Sequence, residues 1–231
     1  MSKSTAATAA LRALIEQRFP DATPLRQGTT EQVATGIAQL DGILPNRGLP
    51  RGRLSVWAPF GGATAILRAA CDLAVARGER AAWVDGDLSV AGAFWTDGPY
   101  LVRPKTRVHA LRAAEELLRS GGFSLLVIAG AESQGTETVR LTRAAREGGT
   151  ALVVITTAAS LASLRLGSRF MHYRWRRNPF GDPADAIEAS VRVHARTVGW
   201  NAHADFQIPV THHELRLSLE SELADRRGVP R

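Results

Sequence analysis

The sequence predicts an α/β fold whose mostly parallel central sheet is flanked by helices and extended by antiparallel strands at its C-terminal edge. From residue 33 onward, short apolar runs alternate with helical patterns, which is typical of a parallel sheet covered on both faces. After residue 164, strand-like segments follow one another through turns. The 231 residues, of which 45% are hydrophobic, provide enough apolar material for a buried core.

The first 32 residues are predicted to form an amphipathic helix and a linker. Apolar side chains recur at three-to-four spacing within residues 5–19, and Pro20 ends the helix. Because a linker follows, the apolar face of this helix either docks on another chain or packs on its own domain. The candidate partner-binding residues on this face are Leu11, Leu14, Ile15 and Phe19.

Residues 33–220 are predicted to form the core domain, and residues 221–231 a disordered tail. The predicted parallel strands are Arg53–Ala58, Ala81–Asp85, Tyr100–Arg103, Ser124–Ala129 and Ala151–Thr157, with helices at about 64–77, 106–120 and 134–147. The later strands are predicted at Arg169–Arg177, Ala189–Val198, Phe206–Val210 and Glu214–Leu219, with turns at 178–183 and 199–203.

The charge and the apolar runs limit the class of protein. A net charge of +7 favours an acidic partner such as a nucleic acid or an acidic protein surface. The alternative is that the charge reflects a GC-rich genome, in which Arg codons replace Lys codons. The apolar runs are far shorter than the roughly 20 residues of a membrane span, so we expect a soluble, cytoplasmic protein without membrane contact. Cys71 lies among apolar residues of a predicted helix and is expected to be a buried thiol.

A Gly-rich loop between a predicted strand and a predicted helix has the expected geometry of a P-loop, in which backbone N–H groups surround phosphates. A working P-loop also needs the lysine of G-x-x-x-x-G-K-[ST] and a hydroxyl for Mg²⁺. This loop has no lysine. A gapless register puts Thr64 at the lysine position and Ala65 at the hydroxyl position, and a one-residue deletion puts Ala63 and Thr64 there.

The second half of such a site is also incomplete. The strand SLLVIAG reaches the position of the metal-binding Asp with Ala129 and Gly130, while Asp85 and Asp87 follow another strand as structural or functional carboxylates. We therefore expect no catalysis, no cofactor and no metal. The candidate degenerate nucleotide site comprises Ala58, Pro59, Phe60, Gly61, Gly62, Ala63, Thr64, Asp85, Asp87 and Ala129.

Residues 34–62 resemble the start of the RecA ATPase core, where T-G-x-x-x-L-D leads through G-L-P-x-G-R into the P-loop. The similarity continues through WVDGD at 83–87, the helix at 107–121, SLLVIAG, ALVVITT and residues 190–208. It covers about residues 10–210, and the motifs before residue 130 are the specific ones. The resemblance implies a RecA-like fold.

The departures from RecA are specific as well. Asp87 stands where the family has its catalytic Glu, and Thr157 stands where a Gln couples nucleotide state to DNA binding. With the missing lysine and Asp, these departures resemble the ImuA family, the RecA-like and often SulA-like accessory of the bacterial ImuA–ImuB mutagenesis cassette. This resemblance implies a role in SOS-induced translesion synthesis, with an ImuB-like inactive Y-family polymerase homologue and an alternative replicative-type polymerase as partners, and RecA or a second copy as further candidates.

The segment RFMHYRWRR, residues 169–177, interleaves basic and aromatic residues, a combination typical of single-stranded nucleic acid binding. The alternative is an amphipathic edge strand with solvated arginines. The candidate nucleic-acid residues are Arg165, Arg174, Trp175, Arg176 and Arg177.

The leading hypothesis is a non-catalytic adaptor that acts through protein contacts. A second hypothesis is a divergent weak ATPase whose cation comes from Arg51, Arg53 or Arg68. The remaining alternatives are a module that binds single-stranded DNA and a SulA-like inhibitor of cell division.

Overall fold

The computed structural model describes residues 32–88, 98–158, 161–177 and 183–209, which form an eight-stranded sheet with helices on both faces and a separate two-stranded sheet. The strands are β1 (Gln32–Val33), β2 (Leu49–Pro50), β3 (Leu54–Trp57), β4 (Ala81–Asp85), β5 (Tyr100–Val102), β6 (Leu125–Ala129), β7 (Ala151–Ile155), β8 (Leu164–Arg177), β9 (Pro183–Thr197) and β10 (Trp200–Pro209). The helices are α1 (Ala38–Ile43), α2 (Ala63–Ala76), α3 (Arg107–Arg119) and α4 (Thr136–Gly148), and a short 3-10 helix spans Pro45–Arg47.

The large sheet combines a parallel centre with an antiparallel edge. Its strands lie in the order β10-β9-β8-β3-β7-β6-β4-β5. The pairs from β8 through β3 to β5 are parallel, whereas β8, β9 and β10 pair antiparallel. The predicted α/β fold with antiparallel strands at one edge is therefore confirmed.

Two apolar cores lie on opposite faces of the sheet because successive strand side chains point to opposite sides. Trp57 of β3 and Trp83 of β4 are fully buried on the face covered by α1 and α2. Val56 of β3 is buried on the face covered by α3 and α4. The described buried apolar residues of β8, β9 and β10 all belong to the first core. The helices α3 and α4 therefore do not cover the three antiparallel strands.

The two helices α3 and α4 are joined by ion pairs. Arg107 of α3 donates two hydrogen bonds of 2.8 and 3.0 Å to the carboxylate of Glu137 on α4. The buried carboxylate of Glu115 on α3 contacts Arg140 of α4 and lies 2.7 Å from Arg119. Thr106 caps α3 by accepting a hydrogen bond of 3.3 Å from the amide of His109. Among the helices that the structure describes, none is long and apolar enough to cross a bilayer.

The predicted boundaries hold for the parallel centre and fail at the antiparallel edge. Both ends of β4 were predicted correctly, whereas β8, β9 and β10 each begin at least five residues earlier than predicted. The turn predicted at 199–203 is wrong, because Trp200 already pairs with Thr197 and the connection is Val198-Gly199. The polar residues of these strands face away from the core and therefore resemble loop in the sequence.

Several predicted segments lie outside the described residues. They are the helix at 5–19 with its linker, most of the turn at 178–183, the strand Glu214–Leu219 and the tail at 221–231.

Candidate functional site

The Gly-rich loop occupies the predicted position between a buried strand and a helix. It leaves β3 after the fully buried Trp57 and enters α2 at Ala63. The side chains of Pro59, Phe60 and Thr64 are exposed. The local geometry is therefore that of a strand, a glycine turn and a helix N-terminus.

The backbone of this loop is hydrogen-bonded to β8. The amide of Ala58 donates to the carbonyl of Leu166 at 2.9 Å. The hydroxyl of Ser168 donates to the carbonyl of Phe60 at 2.8 Å, and the same oxygen accepts a bond of 3.0 Å from the indole N–H of Trp57. Ser168 thus connects the buried end of β3 to the turn of the loop. We call residues 58–62, held by these bonds to Leu166 and Ser168, the fastened loop.

The two glycines permit a close approach of protein backbone to the loop. Gly61 has φ +59° and Gly62 has φ +86°, both in the left-handed region that favours glycine. A Cβ atom on Gly61 would lie 2.2 Å from the Cα atom of Arg169. A Cβ atom on Gly62 would lie 3.1 Å from the ring of Phe170. In a P-loop, glycines leave space beside the backbone for a phosphate. Here Arg169 and Phe170 of β8 lie against the two glycines.

Three arginines are the predicted substitutes for the missing lysine, and the structure shows the elements on which they lie. Arg51 and Arg53 precede β3, whereas the loop follows it, so they lie at the opposite end of this strand. Arg51 forms an ion pair of 2.7 Å with Glu79. Arg68 lies in the second turn of α2, 3.9 Å from the carboxylate of Asp72. The ion-pair partners that the structure gives for Arg51 and Arg68 are thus Glu79 and Asp72, outside the loop.

The predicted carboxylates have different environments. Asp85 is fully buried at the end of β4, and its Oδ2 lies 3.4 Å from the Nε of Arg103. Asp87 is exposed, and a Cβ atom on Gly130 would lie 2.4 Å from its carboxyl carbon. Asp87 therefore packs over the glycine that follows Ala129, at the end of the strand that lacks the metal-binding Asp. Within the described ranges, no three His, Cys, Asp or Glu side chains are grouped as metal ligands.

Strand β8 separates the basic and aromatic residues that are interleaved in its sequence. Ring centroids of Phe170 and Tyr173 are 5.2 Å apart, and those of Tyr173 and Trp175 are 6.0 Å apart, so these rings form one row. Arg165 and Arg174 lie on the other face, where Arg174 donates a bond of 2.8 Å to Glu188. The expected combination of ring faces and cations on one surface is therefore absent from this part of the described strand.

The remaining basic candidates lie at the end of the same strand. Arg176 is exposed and pairs through its backbone with Asp185. Arg177 ends β8 opposite Pro183. Thr157, expected at the position of the coupling Gln, is exposed just after β7. The candidate partner-binding residues Leu11, Leu14, Ile15 and Phe19 lie outside the described residues.

The side of the antiparallel strands that α3 and α4 do not cover forms a basic surface that we call the open face. In the sheet register, its charged and histidine members are Arg165, Arg169, His172 and Arg174 of β8, Glu188, Arg192, His194 and Arg196 of β9, and His203 and Asp205 of β10. Its two carboxylates are both paired: Glu188 with Arg174, and Asp205 with Arg192 at 2.7 and 2.6 Å. The hydrogen bond from Arg192 lowers the pKa of Asp205.

Sequence reasoning missed the members of the open face on β9 and β10, and it missed Ser168. The alternation in VRVHAR, residues 191–196, was the available signal for β9, because every second side chain there is basic or His. Nothing in the sequence indicated Ser168, since its partner Trp57 is 111 residues away along the chain.

Two curated RecA proteins are similar to this chain. RecA of Frankia casuarinae is 33% identical over 129 residues, which cover 50% of this chain and 37% of that protein. RecA of Acidiphilium cryptum is 32% identical over 142 residues, which cover 55% of this chain and 41% of that protein. The matched part thus spans about two fifths of the length of these relatives, and no protein-family model matches the chain. The RecA-like fold and these similarities together indicate a distant relationship to RecA.

Proposed function

We propose that this protein is a non-catalytic, cytoplasmic RecA-like accessory protein of SOS-induced translesion DNA synthesis, related to the ImuA family. It acts through protein contacts with an ImuB-like inactive Y-family polymerase homologue and an alternative replicative-type polymerase. The observation that carries this proposal is the fastened loop, in which Ser168 and the backbone of β8 hold the turn where a P-loop would hold phosphate.

The chemistry of phosphoryl transfer supports the proposal. Such transfer depends on a cation at the β and γ phosphates and on a carboxylate for Mg²⁺. The loop has no lysine, β6 ends in Ala129, and Asp85 is engaged with Arg103. A scaffold that keeps the RecA-like core while losing these groups is suited to binding other proteins.

Calorimetry with ATP and a non-hydrolysable analogue at millimolar concentration with Mg²⁺ tests the non-catalytic part of the proposal. We expect neither saturable heat nor thermal stabilisation from protein purified free of nucleotide. Saturable binding together with magnesium-dependent turnover that is lost in Asp87→Asn would refute the proposal in favour of a divergent ATPase.

A genetic experiment tests the biological role. Deletion of the gene in its own host should lower the frequency of mutations induced by ultraviolet light, and the intact gene should restore it. An unchanged frequency, combined with filamentous cells on overexpression, would instead favour inhibition of cell division.

Binding of a polyanion such as single-stranded DNA is a second candidate function, favoured by the open face. Neither Arg169 nor Arg196 forms an ion pair with a described carboxylate, and α3 and α4 leave this side of the sheet uncovered. Cations placed in this way can neutralise phosphates without reading bases.

The salt dependence of oligonucleotide binding tests this second function. For single strands, each lost phosphate contact should reduce the slope of log affinity against log salt by about 0.7. The double variant Arg169→Ala with Arg196→Ala removes two such contacts and should reduce the slope by about 1.4, while Arg112→Ala on the exposed surface of α3 is the matched control. Equal slopes for the wild type and the double variant would exclude these two arginines.

A further inference from the structure

Gly167 is a glycine that neither the backbone conformation nor the packing of β8 requires. Its φ lies outside the left-handed region, and a Cβ atom added to it would meet nothing within 4 Å. It lies between the buried residues Leu166 and Ser168, so a side chain at this position would stand on the open face. A glycine inside a strand weakens the strand and often marks a place where a ligand approaches the backbone closely.

Basic side chains surround the gap that Gly167 leaves on the open face. His194 of β9 pairs directly opposite Gly167, at a distance of roughly 5 Å between the two strands. Four arginines lie around this pair in two further cross-strand pairs, Arg165 with Arg196 and Arg169 with Arg192. Like charges directly opposite each other destabilise a sheet. An anion placed between the two arginine pairs removes this cost.

Part of this positive charge is not neutralised by the carboxylates of the open face. Of the four arginines, Arg192 already donates two hydrogen bonds to Asp205. Neither Arg169 nor Arg196 forms an ion pair with a described carboxylate. These two arginines lie on a diagonal through Gly167, so their side chains can converge over the glycine from opposite ends. Two guanidinium groups placed in this way match the oxygen atoms of a phosphate.

A cavity of about 670 Å³ adjoins the gap at the first residues of β8. The cavity shares Arg165 and Arg196 with the surroundings of Gly167, and Trp200 and Asn201 of β10 also line it. No carboxylate belongs to its described lining, and Trp200 is 37% exposed. An aromatic ring and an amide beside guanidinium groups suit a nucleobase that is attached to a bound phosphate. An acidic peptide would need the cations alone, so the cavity favours a nucleic acid.

We infer that the open face holds a single-stranded nucleic acid at one defined point, with a backbone phosphate over Gly167 between Arg169 and Arg196 and the adjoining base in the cavity beside Trp200. We call Gly167 and the four arginines around it the phosphate seat. This seat rests on the second candidate function, polyanion binding by the open face, and gives it a defined position. Affinity for a strand comes from several phosphates together, so a mononucleotide at millimolar concentration should not saturate the seat.

Gly167→Val tests the phosphate seat without a change of charge. The added side chain fills the gap, and valine suits a strand. Fluorescence anisotropy with labelled oligothymidine of about 20 nucleotides should show a salt slope that is lower by about 0.7, the value of one single-strand phosphate contact. At about 50 mM salt this contact corresponds to a loss of affinity of roughly eightfold. Gln207→Val, at an exposed position of the open face on β10, is the matched control and should bind as the wild type does.

Trp200→Ala tests the base cavity and should give a different signature. Loss of base stacking should weaken binding of oligothymidine by about fivefold or more and leave the salt slope unchanged, because no phosphate contact is lost. An abasic oligonucleotide of the same length should bind Trp200→Ala and the wild type equally, whereas Gly167→Val should still weaken its binding. Tyr100→Ala, at an exposed aromatic residue on the far edge strand β5, is the matched control.

The outcomes separate the phosphate seat from the broader function. A lower slope in the double variant of Arg169 and Arg196 but not in Gly167→Val would refute the seat and leave polyanion binding intact. No oligonucleotide binding by the wild type at low salt would refute both. Equal affinity of Trp200→Ala and the wild type would refute the placement of the base.

Two further measurements distinguish other ligands of the same site. Binding of poly-glutamate that Gly167→Val abolishes would overturn the nucleic-acid assignment in favour of an acidic protein segment. Saturable ATP binding that Gly167→Val abolishes would overturn the strand and assign the phosphate contact to a free nucleotide. Thermal unfolding of each variant establishes that its fold is retained. Gly167→Ala, which adds the Cβ atom alone, is the second variant and should change the slope in the same direction.

Discussion

Ser168 is the residue at which the core and the loop meet. Its hydroxyl accepts a hydrogen bond from the indole of the fully buried Trp57 and donates one to the carbonyl of Phe60. A buried N–H group without an acceptor is costly, so this hydroxyl satisfies the core as well as holding the loop.

Ser168→Ala should lower the free energy of unfolding by about 1–3 kcal/mol, because the indole N–H of Trp57 loses its acceptor inside the core. Urea unfolding measures the change. Ser190→Ala removes a hydroxyl that bonds to His172 on the open face and should change stability by less than about 0.5 kcal/mol. Equal effects in the two variants would show that Ser168 is not a specific fastening point.

Gly61→Ala should destabilise the protein by about 2–5 kcal/mol, because left-handed strain is added to a collision with the backbone of Arg169. Gly149→Ala is the matched control. Gly149 has φ +64°, but a Cβ atom there would meet nothing within 4 Å, so only strain of about 1–2 kcal/mol is expected. The difference between the two unfolding energies measures the packing of the loop on β8, and a difference near zero would contradict it.

At the scale of the elements, the bounds of buried strands were predicted more accurately than the bounds of strands that are exposed on one side. The strand β4 lies inside the sheet between two neighbours and is buried throughout, so its apolar run in the sequence has the same bounds as the strand. By contrast, β9 and β10 bury one side only, and the Arg, His and Asp residues on their open sides resemble loop. The connection between β9 and β10 is Val198-Gly199, and Gly199 has a φ of +79°, which permits so tight a turn. The sequence analysis predicted this turn at 199–203 instead.

The candidate site was predictable in composition and unpredictable in conformation. The missing lysine and Ala129 are visible in the sequence, and they led to the expectation of an inactive loop. The contact of Gly61 with Arg169 depends on how β8 lies beside β3, which is a tertiary relation between distant segments. Residues 169–177 are also divided between two faces of β8, and the β-bulge between Phe170 and His172 that places Phe170 beside Tyr173 is not visible in the sequence.

The pair of Arg107 and Glu137 joins α3 to α4 and predicts a pH dependence at the same scale. The hydrogen bond from Arg107 lowers the pKa of Glu137 below its ordinary value of 4.5. A lowered pKa in the folded state means that the stabilisation is present above the ordinary pKa and is lost as the pH falls through the lowered one. Because both side chains are partly exposed, solvent screens the pair and the effect should be small.

Unfolding free energies of the wild type and Glu137→Gln, measured from pH 7 to pH 3, test this dependence. The wild type should be the more stable at pH 7, and the difference should shrink toward pH 3 as Glu137 is protonated. Asp205, whose pKa is lowered by Arg192, titrates in the same range in both proteins and cancels from the comparison. A difference that is independent of pH would assign the effect to packing rather than to charge.

At the scale of the whole molecule, the positive charge and the aromatic residues are sorted onto different surfaces. The open face carries most of the arginines of the antiparallel strands, while the rings of Phe170, Tyr173 and Trp175 lie on the other side of β8. This separation follows from the alternation of side chains along β8 together with its β-bulge between Phe170 and His172.

Restoring the missing lysine should not restore a nucleotide site, because two other features of the molecule oppose nucleotide binding. Ala63→Lys and Thr64→Lys cover the two registers, but each leaves β6 ending in Ala129 and the loop fastened by Ser168. We expect no saturable ATP binding at millimolar nucleotide in either variant, nor after Ala129→Asp is added. Adding Ser168→Ala as well frees the carbonyl of Phe60 and should give the first detectable binding by calorimetry. Binding by a single lysine variant would show that the loop opens readily and that the lysine alone was the missing element.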